Sequence, residues 1–413
     1  MKFLAIIFLT LSLAASLTAQ STTARVSLTE NDEIKALQNA DPLGGSNVPN
    51  YLKALANTHK PAQKYANLLQ TVIFGGTVKP AAKMLMAWRI GQIYHSDYLM
   101  AHAARWLKAT PDGAAALKSL TSSPPQIPAA DQLAILYAEL LTRDIHGVSD
   151  ADFGKVRGFY NDSQIVELTL TVCFFNHFTR LVESLKLPVE SWVTADKTPQ
   201  LTAHPVRFAV PTARVGLISD AEMNATTNAV NAAKDPQKPA SSLGLGIANS
   251  QRAMLRVPDL AQAWREFGAQ VRENSQIDRN LQLQVSFAVS MANGCRYCTL
   301  HQVLGLRRLG VDMAKLVAMK KDDAALTKPE LIAVQFARKS TAAPASITDA
   351  DFAALKTTFG EQGAVEVVLQ TGAFAFMNRF TDGLRLPSED EAVKIYQETY
   401  GDGTYQGNWK KNN

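Results

Sequence analysis

The chain has 413 residues, of which 46% are hydrophobic, and a formal net charge of +5 at neutral pH. This length predicts two or three domains, and the hydrophobic content is sufficient for well-formed cores. The sequence has no dense Lys/Arg patch with interleaved aromatic residues, so it gives little support to nucleic-acid binding.

The first nineteen residues have the pattern of a secretory signal peptide. Lys2 precedes a mostly apolar run from Leu4 to Leu13, and small residues follow as far as Ala19. The apolar run is too short for a membrane-spanning helix, so the pattern predicts cleavage and export rather than a membrane anchor. We therefore expect a secreted or periplasmic protein.

Two parts of the chain resemble each other, which predicts an internal duplication. The segment Asp150–Phe153 recurs as Asp349–Phe352, 199 positions later, and the Leu-Pro pair before Glu190 recurs before Glu389 at the same spacing. The predicted organisation is a signal peptide at 1–19, a first domain at 20–190, a linker at 191–211 and a second domain at 212–413.

Each half has the apolar periodicity of helices, and strand signals are sparse, so the predicted fold class is all-α. Ser149 and Thr348 are expected to cap helices that begin at equivalent positions in the two halves. Residues 206–217 alternate and are expected to form an extended entry to the second half. In that half, helices are predicted from Leu260 to Glu273, from Asn280 to Met291, from about Cys295 to Leu309, and from Gln362 to Arg385.

The third of these predicted helices carries Cys295, Cys298 and His301. Residues three apart share one face of a helix, so a dithiol and a base are expected side by side, as thiol redox chemistry requires. A structural disulfide or a pair of spectator thiols would fit the same spacing, and His301 could be a core histidine bonded to the backbone.

The cysteines do not match a metal or haem motif. Cys295, Cys298 and His301 offer three ligands without a nearby fourth at zinc spacing, and haem attachment needs a histidine directly after the second cysteine, where Thr299 stands. We predict no cofactor and no metal. Cys173 lies in an apolar segment and is expected to be a buried, inert thiol.

The first half carries the same segment without its thiols. At the spacing of 199, Cys295 corresponds to Ser96, Cys298 to Leu99 and His301 to His102, so the first half is not expected to perform dithiol chemistry.

The segment Asn-Gly-Cys-x-Tyr-Cys at 293–298, preceded by Ala-Val-Ser at 288–290 and followed by a histidine, resembles the carboxymuconolactone decarboxylase / alkylhydroperoxidase D family. The resemblance implies two tandem all-helical bundle domains of the alkylhydroperoxidase D type, and a family that usually assembles into oligomers, so a homo-oligomer is an implied partner. It implies that Cys298 attacks a peroxide and that Cys295 resolves the product. His301 would take a thiol proton or stabilise the thiolate.

The peroxidases of this family also carry a glutamate twelve residues before the first cysteine, as part of a proton relay. This chain has Leu283 there, between Gln282 and Gln284. A carboxylate reaching the dithiol from elsewhere in the fold would replace it.

The resemblance therefore predicts an exported thiol-dependent peroxidase or oxidoreductase that acts on a peroxide and is recharged by an unknown thiol reductant. Two alternatives remain open. One is a decarboxylase-like lyase that acts on a small lactone acid through His102 or His301. The other is a binding or scaffold protein that has kept the fold and lost catalysis.

Overall fold

The structure, a computed structural model, describes residues 24–120, 127–193, 213–219, 221–223, 248–273, 275–321 and 323–400. Within these residues every regular element is a helix, which confirms the all-α prediction. The predicted signal peptide, most of the predicted linker and the predicted extended residues before 213 lie outside the described ranges.

The first half contains nine helices among its described residues. They are α1 (Asp32–Lys35), α2 (Asn50–Asn57), α3 (Ala62–Phe74), α4 (Pro80–Tyr94), α5 (Asp97–Lys108), α6 (Gly113–Leu120), α7 (Ala129–Arg143), α8 (Asp150–Arg157) and α9 (Asp162–Ser184).

The second half follows the same order where it is described. Its helices are α10 (Asn249–Met254), α11 (Pro258–Glu273), α12 (Arg279–Asn293), α13 (Arg296–Arg308), α14 (Met313–Lys321), α15 (Lys328–Ala342), a 3-10 turn (Pro344–Ser346), α16 (Asp349–Gly383) and α17 (Asp390–Tyr400). Helices α4 and α12 begin and end 199 positions apart, and so do α7 and α15. The ends of α9 and α16 are also 199 positions apart.

Side-chain caps fix the predicted helix starts. The hydroxyls of Ser149 and Thr348 accept hydrogen bonds from the backbone N–H groups of Asp152 and Asp351, at 3.1 and 3.2 Å. The predicted closing helix from Gln362 is only the second part of α16. The two parts meet at Gly360, whose φ of +71° and ψ of 175° are not helical and favour a residue without a Cβ.

The two halves share one hydrophobic core. Helices α9 and α16 pack against each other at its centre, and the core contains buried residues from both halves. Helix α9 is long and apolar enough to cross a membrane by composition, but its most apolar stretch is entirely buried by the rest of the chain. It serves as a central core helix.

Two arginines tie the halves together reciprocally. Arg180 on α9 donates to the carbonyl of Thr341, and Arg379 on α16 donates to the carbonyl of Thr142, both at 3.0 Å. The donors are 199 positions apart, and so are the acceptors. Each half therefore satisfies a backbone acceptor at the end of a helix in the other half.

Two buried carboxylates bind the backbone just before α12 and just before α4. Glu366 accepts from the N–H groups of Gln276 and Ile277 and pairs with Lys60 of the first half. Glu167 plays the same part before α4, where it pairs with Lys83 at 2.8 Å. These contacts give both glutamates a structural role.

Candidate active site

Cys295 caps the helix that carries the second cysteine. Its Sγ accepts a hydrogen bond from the N–H of Cys298 at 3.3 Å, in the position of an N-cap side chain. Gly294, just before it, has a φ of +71° and ends α12, so the chain turns sharply into α13. Both thiols are free in this structure.

The two sulfurs meet at one threonine on α16. The hydroxyl of Thr381 lies 3.4 Å from the Sγ of Cys295 and 3.4 Å from the Sγ of Cys298. The thiol of Cys295 also donates to the Oδ1 of Asp382 at 3.4 Å. The end of α16 therefore gives the dithiol a shared polar contact and a carboxylate.

A histidine from the first half completes this group. His146 follows α7, and its Nε2 lies 2.8 Å from the Oδ2 of Asp382. The same oxygen accepts from the backbone N–H of Arg296 at 3.1 Å. His146, Asp382 and Cys295 thus form a continuous chain of hydrogen bonds that crosses between the halves.

The environment keeps the Cys295 thiol protonated at neutral pH. Burial raises its pKa well above the ordinary value, and the hydrogen bond with Cys298 and the negative charge of Asp382 raise it further. Cys295 is therefore a proton donor at rest, with Asp382 as its acceptor.

His301 bonds to a different pair of partners. Its Nδ1 donates to the carbonyl of Tyr297 at 2.6 Å, and its Nε2 lies 2.5 Å from the Oε2 of Glu389. A carbonyl only accepts, so the Nδ1 of His301 carries a proton, and the Nε2 faces the carboxylate of Glu389. No hydrogen bond within the described residues joins His301 to either sulfur.

Glu389 gathers the polar groups around this histidine. It also accepts from the hydroxyl of Tyr297 at 3.0 Å and from the N–H of Asn249 at 2.6 Å. Burial alone would raise the pKa of Glu389, but its bonds to His301 and Asn249 outweigh burial and lower it. The tethered tyrosine hydroxyl explains why Tyr297 is buried with its polar end satisfied.

The sequence model of the carboxymuconolactone decarboxylase family matches residues 258–337, which span α11 to α14 and most of α15. This segment belongs to that family. No curated protein matches the chain.

Two crystal structures of the debrominase Bmp8 are similar to this chain. The apo form has 21% identity and a TM-score of 0.38, covering 44% of this chain and 96% of its own. A cysteine-to-alanine variant bound to 2,3,4-tribromopyrrole has 20% identity and a TM-score of 0.37, covering 44% and 95%.

In this carboxymuconolactone decarboxylase segment, Leu283 packs in an apolar cluster with Phe287 and Leu300. Gln282 beside it bonds to Ser275 and to the carbonyl of Ile277. Helix α12 therefore supplies no carboxylate at Leu283, and the carboxylates near the motif come from Asp382 and Glu389.

The first half contains the same histidine arrangement without thiols. Glu190 accepts from the Nε2 of His102 at 2.8 Å, from the hydroxyl of Tyr98 at 2.7 Å, and from the N–H of Asn50. His102 differs from His301 in one respect, because its buried Nδ1 has no hydrogen-bond partner in the described structure. A neutral His102 therefore satisfies Glu190.

The thiol positions of the first half are occupied differently. Ser96 caps α5 by accepting from the N–H of Leu99 at 3.2 Å, and its hydroxyl donates to Glu183. Residue 345, which corresponds to His146, is an alanine. The Ser96 site thus has no thiol pair, and the second half offers it no bridging histidine. Cys173 is fully buried on α9, and burial raises its pKa, as expected for an inert thiol.

The dithiol is covered in this structure. Cys295 is 0% exposed and Cys298 is 3% exposed. Two cavities, of 350 and 480 Å³, are lined by other residues. This burial differs from the partly exposed thiol expected of a reactive site.

Proposed function

We propose that the protein is a thiol-dependent oxidoreductase that reduces a hydroperoxide, with Cys298 as the attacking thiol, Cys295 as the resolving thiol and His301 as a proton source. The observation that carries the proposal is the hydrogen bond from the Cys295 thiol to Asp382, beside a second thiol that shares Thr381. A resolving cysteine needs a neighbouring sulfur and a base, and both are present.

The proposed reaction starts when the Cys298 thiolate attacks the outer oxygen of the hydroperoxide. The O–O bond breaks, Cys298 becomes a sulfenic acid, and the alkoxide takes a proton and leaves as an alcohol. The Cys295 thiol then passes its proton to Asp382, and its sulfur attacks that of Cys298. The S–O bond breaks, hydroxide leaves as water after taking a proton, and a disulfide remains.

Two proton paths support this sequence of steps. Asp382 is held by His146 and Arg296, so it is positioned to accept the proton of Cys295. The His301–Glu389 pair lies one helical turn after Cys298 and supplies a proton to the leaving alkoxide. In this proposal Asp382 takes the place that the family gives to a glutamate at position 283.

An external thiol must return the disulfide to two thiols, because the described residues hold no further cysteine beside the pair. If the predicted export is correct, the pair works outside the cytoplasm and needs a dedicated electron donor there. The covered sulfurs require that reductant and peroxide both enter through a transient opening.

The test uses reduced, desalted full-length protein and one equivalent of cumene hydroperoxide. Wild type should consume the peroxide and lose two thiols, whereas Cys298→Ser should consume almost none. Cys295→Ser should accumulate a sulfenic acid on Cys298 that dimedone traps for mass spectrometry. Cys173→Ser is the matched control, because it removes a buried thiol away from the pair. Equal consumption by wild type and Cys298→Ser would contradict the proposal.

A second candidate is the decarboxylase-like lyase acting on a small lactone acid. It is favoured by the His-Glu-Tyr arrangement that both halves retain, around His301 and His102. Lyase activity that survives Cys295→Ser combined with Cys298→Ser would support it. A catalytically inactive scaffold is favoured by the burial of both sulfurs, and it predicts no alkylation of either thiol after mild reduction.

We also propose that the two halves arose by duplication of one domain. The recurring helix bounds, the two glutamate–histidine pairs and the reciprocal arginine contacts support this origin.

A further inference from the structure

A cavity of 480 Å³ lies at the junction of the two halves. Tyr94 and Thr142, at the ends of α4 and α7, line it from the first half, and Asn293 and Arg379 line it from the second. We call it the arginine cavity. Its volume is within the range of pockets that hold small organic ligands.

Arg379 brings a buried positive charge to this cavity without a carboxylate partner. The residue is 3% exposed, and its guanidinium donates to the carbonyls of Ala375 and Thr142 and to the hydroxyl of Tyr94, at 3.1, 3.0 and 3.1 Å. Its Nε is buried with no hydrogen-bond partner in the described residues. The carboxylate of Asp144 attracts Arg379 from a distance but makes no ion pair with it.

A second buried arginine increases the positive potential. Arg180 lies 3.4 Å from the same Tyr94 hydroxyl, and its other hydrogen-bond acceptors among the described residues are the carbonyls of Asn176 and Thr341. Burial opposes ionisation of Tyr94, but the two arginine charges outweigh it and lower the pKa of Tyr94. Two cations thus converge on one tyrosine hydroxyl, and buried charges in proteins are normally paired.

The rest of the wall is mainly apolar and small. Ile93, Ala292 and Ala345 are among the lining residues, with both alanines at the exposed rim, and Arg143 there pairs with Glu139 at 3.0 Å. Such a wall suits an organic group better than a hydrated inorganic ion.

We propose that the arginine cavity binds a small organic monocarboxylate. Its carboxylate accepts hydrogen bonds from the part of the Arg379 guanidinium that lines the cavity, and its apolar body contacts Ile93 and the alanines. Charge-assisted bonds to a planar guanidinium are the usual means of carboxylate recognition. The site does not depend on the dithiol chemistry, because neither cysteine lines the cavity.

The experiment measures binding of benzoate to the full-length protein by calorimetry, with a thermal-shift titration as a second readout. Inorganic phosphate and benzyl alcohol serve as comparison probes for charge alone and for the apolar body alone. Arg379→Gln removes the anion partner. Arg180→Gln removes the second positive charge but leaves the cavity wall intact, because Arg180 does not line the cavity. Ala345→Trp fills the cavity without removing a hydrogen bond.

Wild type should bind benzoate, and Arg180→Gln should bind it with a smaller loss than Arg379→Gln. Arg379→Gln and Ala345→Trp should weaken binding by about tenfold or more, the effect of losing a charge-assisted bond or the space for the ring. The proposal is overturned if benzoate does not bind wild type, if phosphate or benzyl alcohol binds as tightly, or if Arg379→Gln binds as wild type does. If Arg379→Gln does not fold, Ala345→Trp decides, and unchanged benzoate binding by that variant overturns the proposal.

Discussion

The Nε2 of His146 and the Oδ2 of Asp382 are 2.8 Å apart, although the residues belong to different halves of the chain. The other oxygen of Asp382 accepts from the Cys295 thiol. The dithiol of the second half is therefore completed by a histidine of the first half.

Asp382→Asn should slow the second step of the proposed reaction. An amide cannot take the Cys295 proton at neutral pH, and loss of a general base typically costs about 10²–10⁴-fold in rate. The lifetime of the Cys298 sulfenic acid, followed by dimedone trapping in a single turnover, should lengthen accordingly. Glu183→Gln is the matched control, since Glu183 contacts Ser96 at the equivalent place. Equal lifetimes in the two variants would exclude Asp382 as the base.

Glu389→Gln and Glu190→Gln form a second matched pair. Each removes a carboxylate that accepts from a histidine, a tyrosine hydroxyl and a backbone N–H. Each should lower the free energy of unfolding by about 1–3 kcal/mol, the usual effect on a buried hydrogen-bonded charge. Only Glu389→Gln should slow peroxide consumption. Urea unfolding and peroxide assays measure the two effects separately, and a slower reaction in both variants would point to a general loss of structure.

His177 should make the protein sensitive to acid. Burial lowers its pKa to about 4, from an ordinary 6.5, among the rings of Tyr65, Trp264 and Phe267. Between these values the unfolded chain binds a proton that the folded chain does not, so stability falls as the pH drops from 6.5 to 4 and is unaffected above that window. The full loss is roughly 3 kcal/mol.

The measurement is the free energy of unfolding in urea at pH 7 and pH 4.5. His177→Phe should lose less stability between these values than wild type, because phenylalanine does not titrate. His59→Asn changes an exposed histidine and should leave the wild-type difference intact. An unchanged difference in His177→Phe would assign the acid sensitivity to other groups.

Two glycine-to-alanine substitutions should have opposite effects on stability. A Cβ at Gly372 would lie 2.4 Å from the Nδ1 of the buried His177, so Gly372→Ala should destabilise the protein by about 1–3 kcal/mol through overpacking. A Cβ at Gly154, in α8, meets nothing within 4 Å. Gly154→Ala should stabilise the protein by about 0.5–1 kcal/mol because alanine has the higher helix propensity. Urea unfolding of both variants measures the difference, and the same sign in both would contradict this packing at Gly372.

The sequence predicted the helices because their signals are local. Apolar spacing defined α11 to α13, and Ser149 and Thr348 marked helix starts through their own side chains. The predicted start of α13 was one residue early, because Cys295 is the N-cap and the helix begins at Arg296.

Glu389 could have been found as the partner of His301. Glu190 and Glu389 are 199 positions apart, as are His102 and His301. This shared spacing indicates that each half retains one histidine with one glutamate. Asp382 recurs only as a different carboxylate, Glu183, and His146 gave no such signal. Their contacts with the dithiol follow from the packing of α16 and the end of α7, and His146 has an alanine at the corresponding place.

The reciprocal bonds of Arg180 and Arg379 have a consequence for how the gene can change. Each arginine closes a helix end that belongs to the opposite half, so neither half carries all the donors that it needs. A chimaera that exchanges one half for that of a distant homologue would bring together unmatched donors and acceptors at the seam. Substitutions at this seam in one half must therefore be matched by substitutions in the other, as in the subunits of an obligate complex, although one gene encodes both halves.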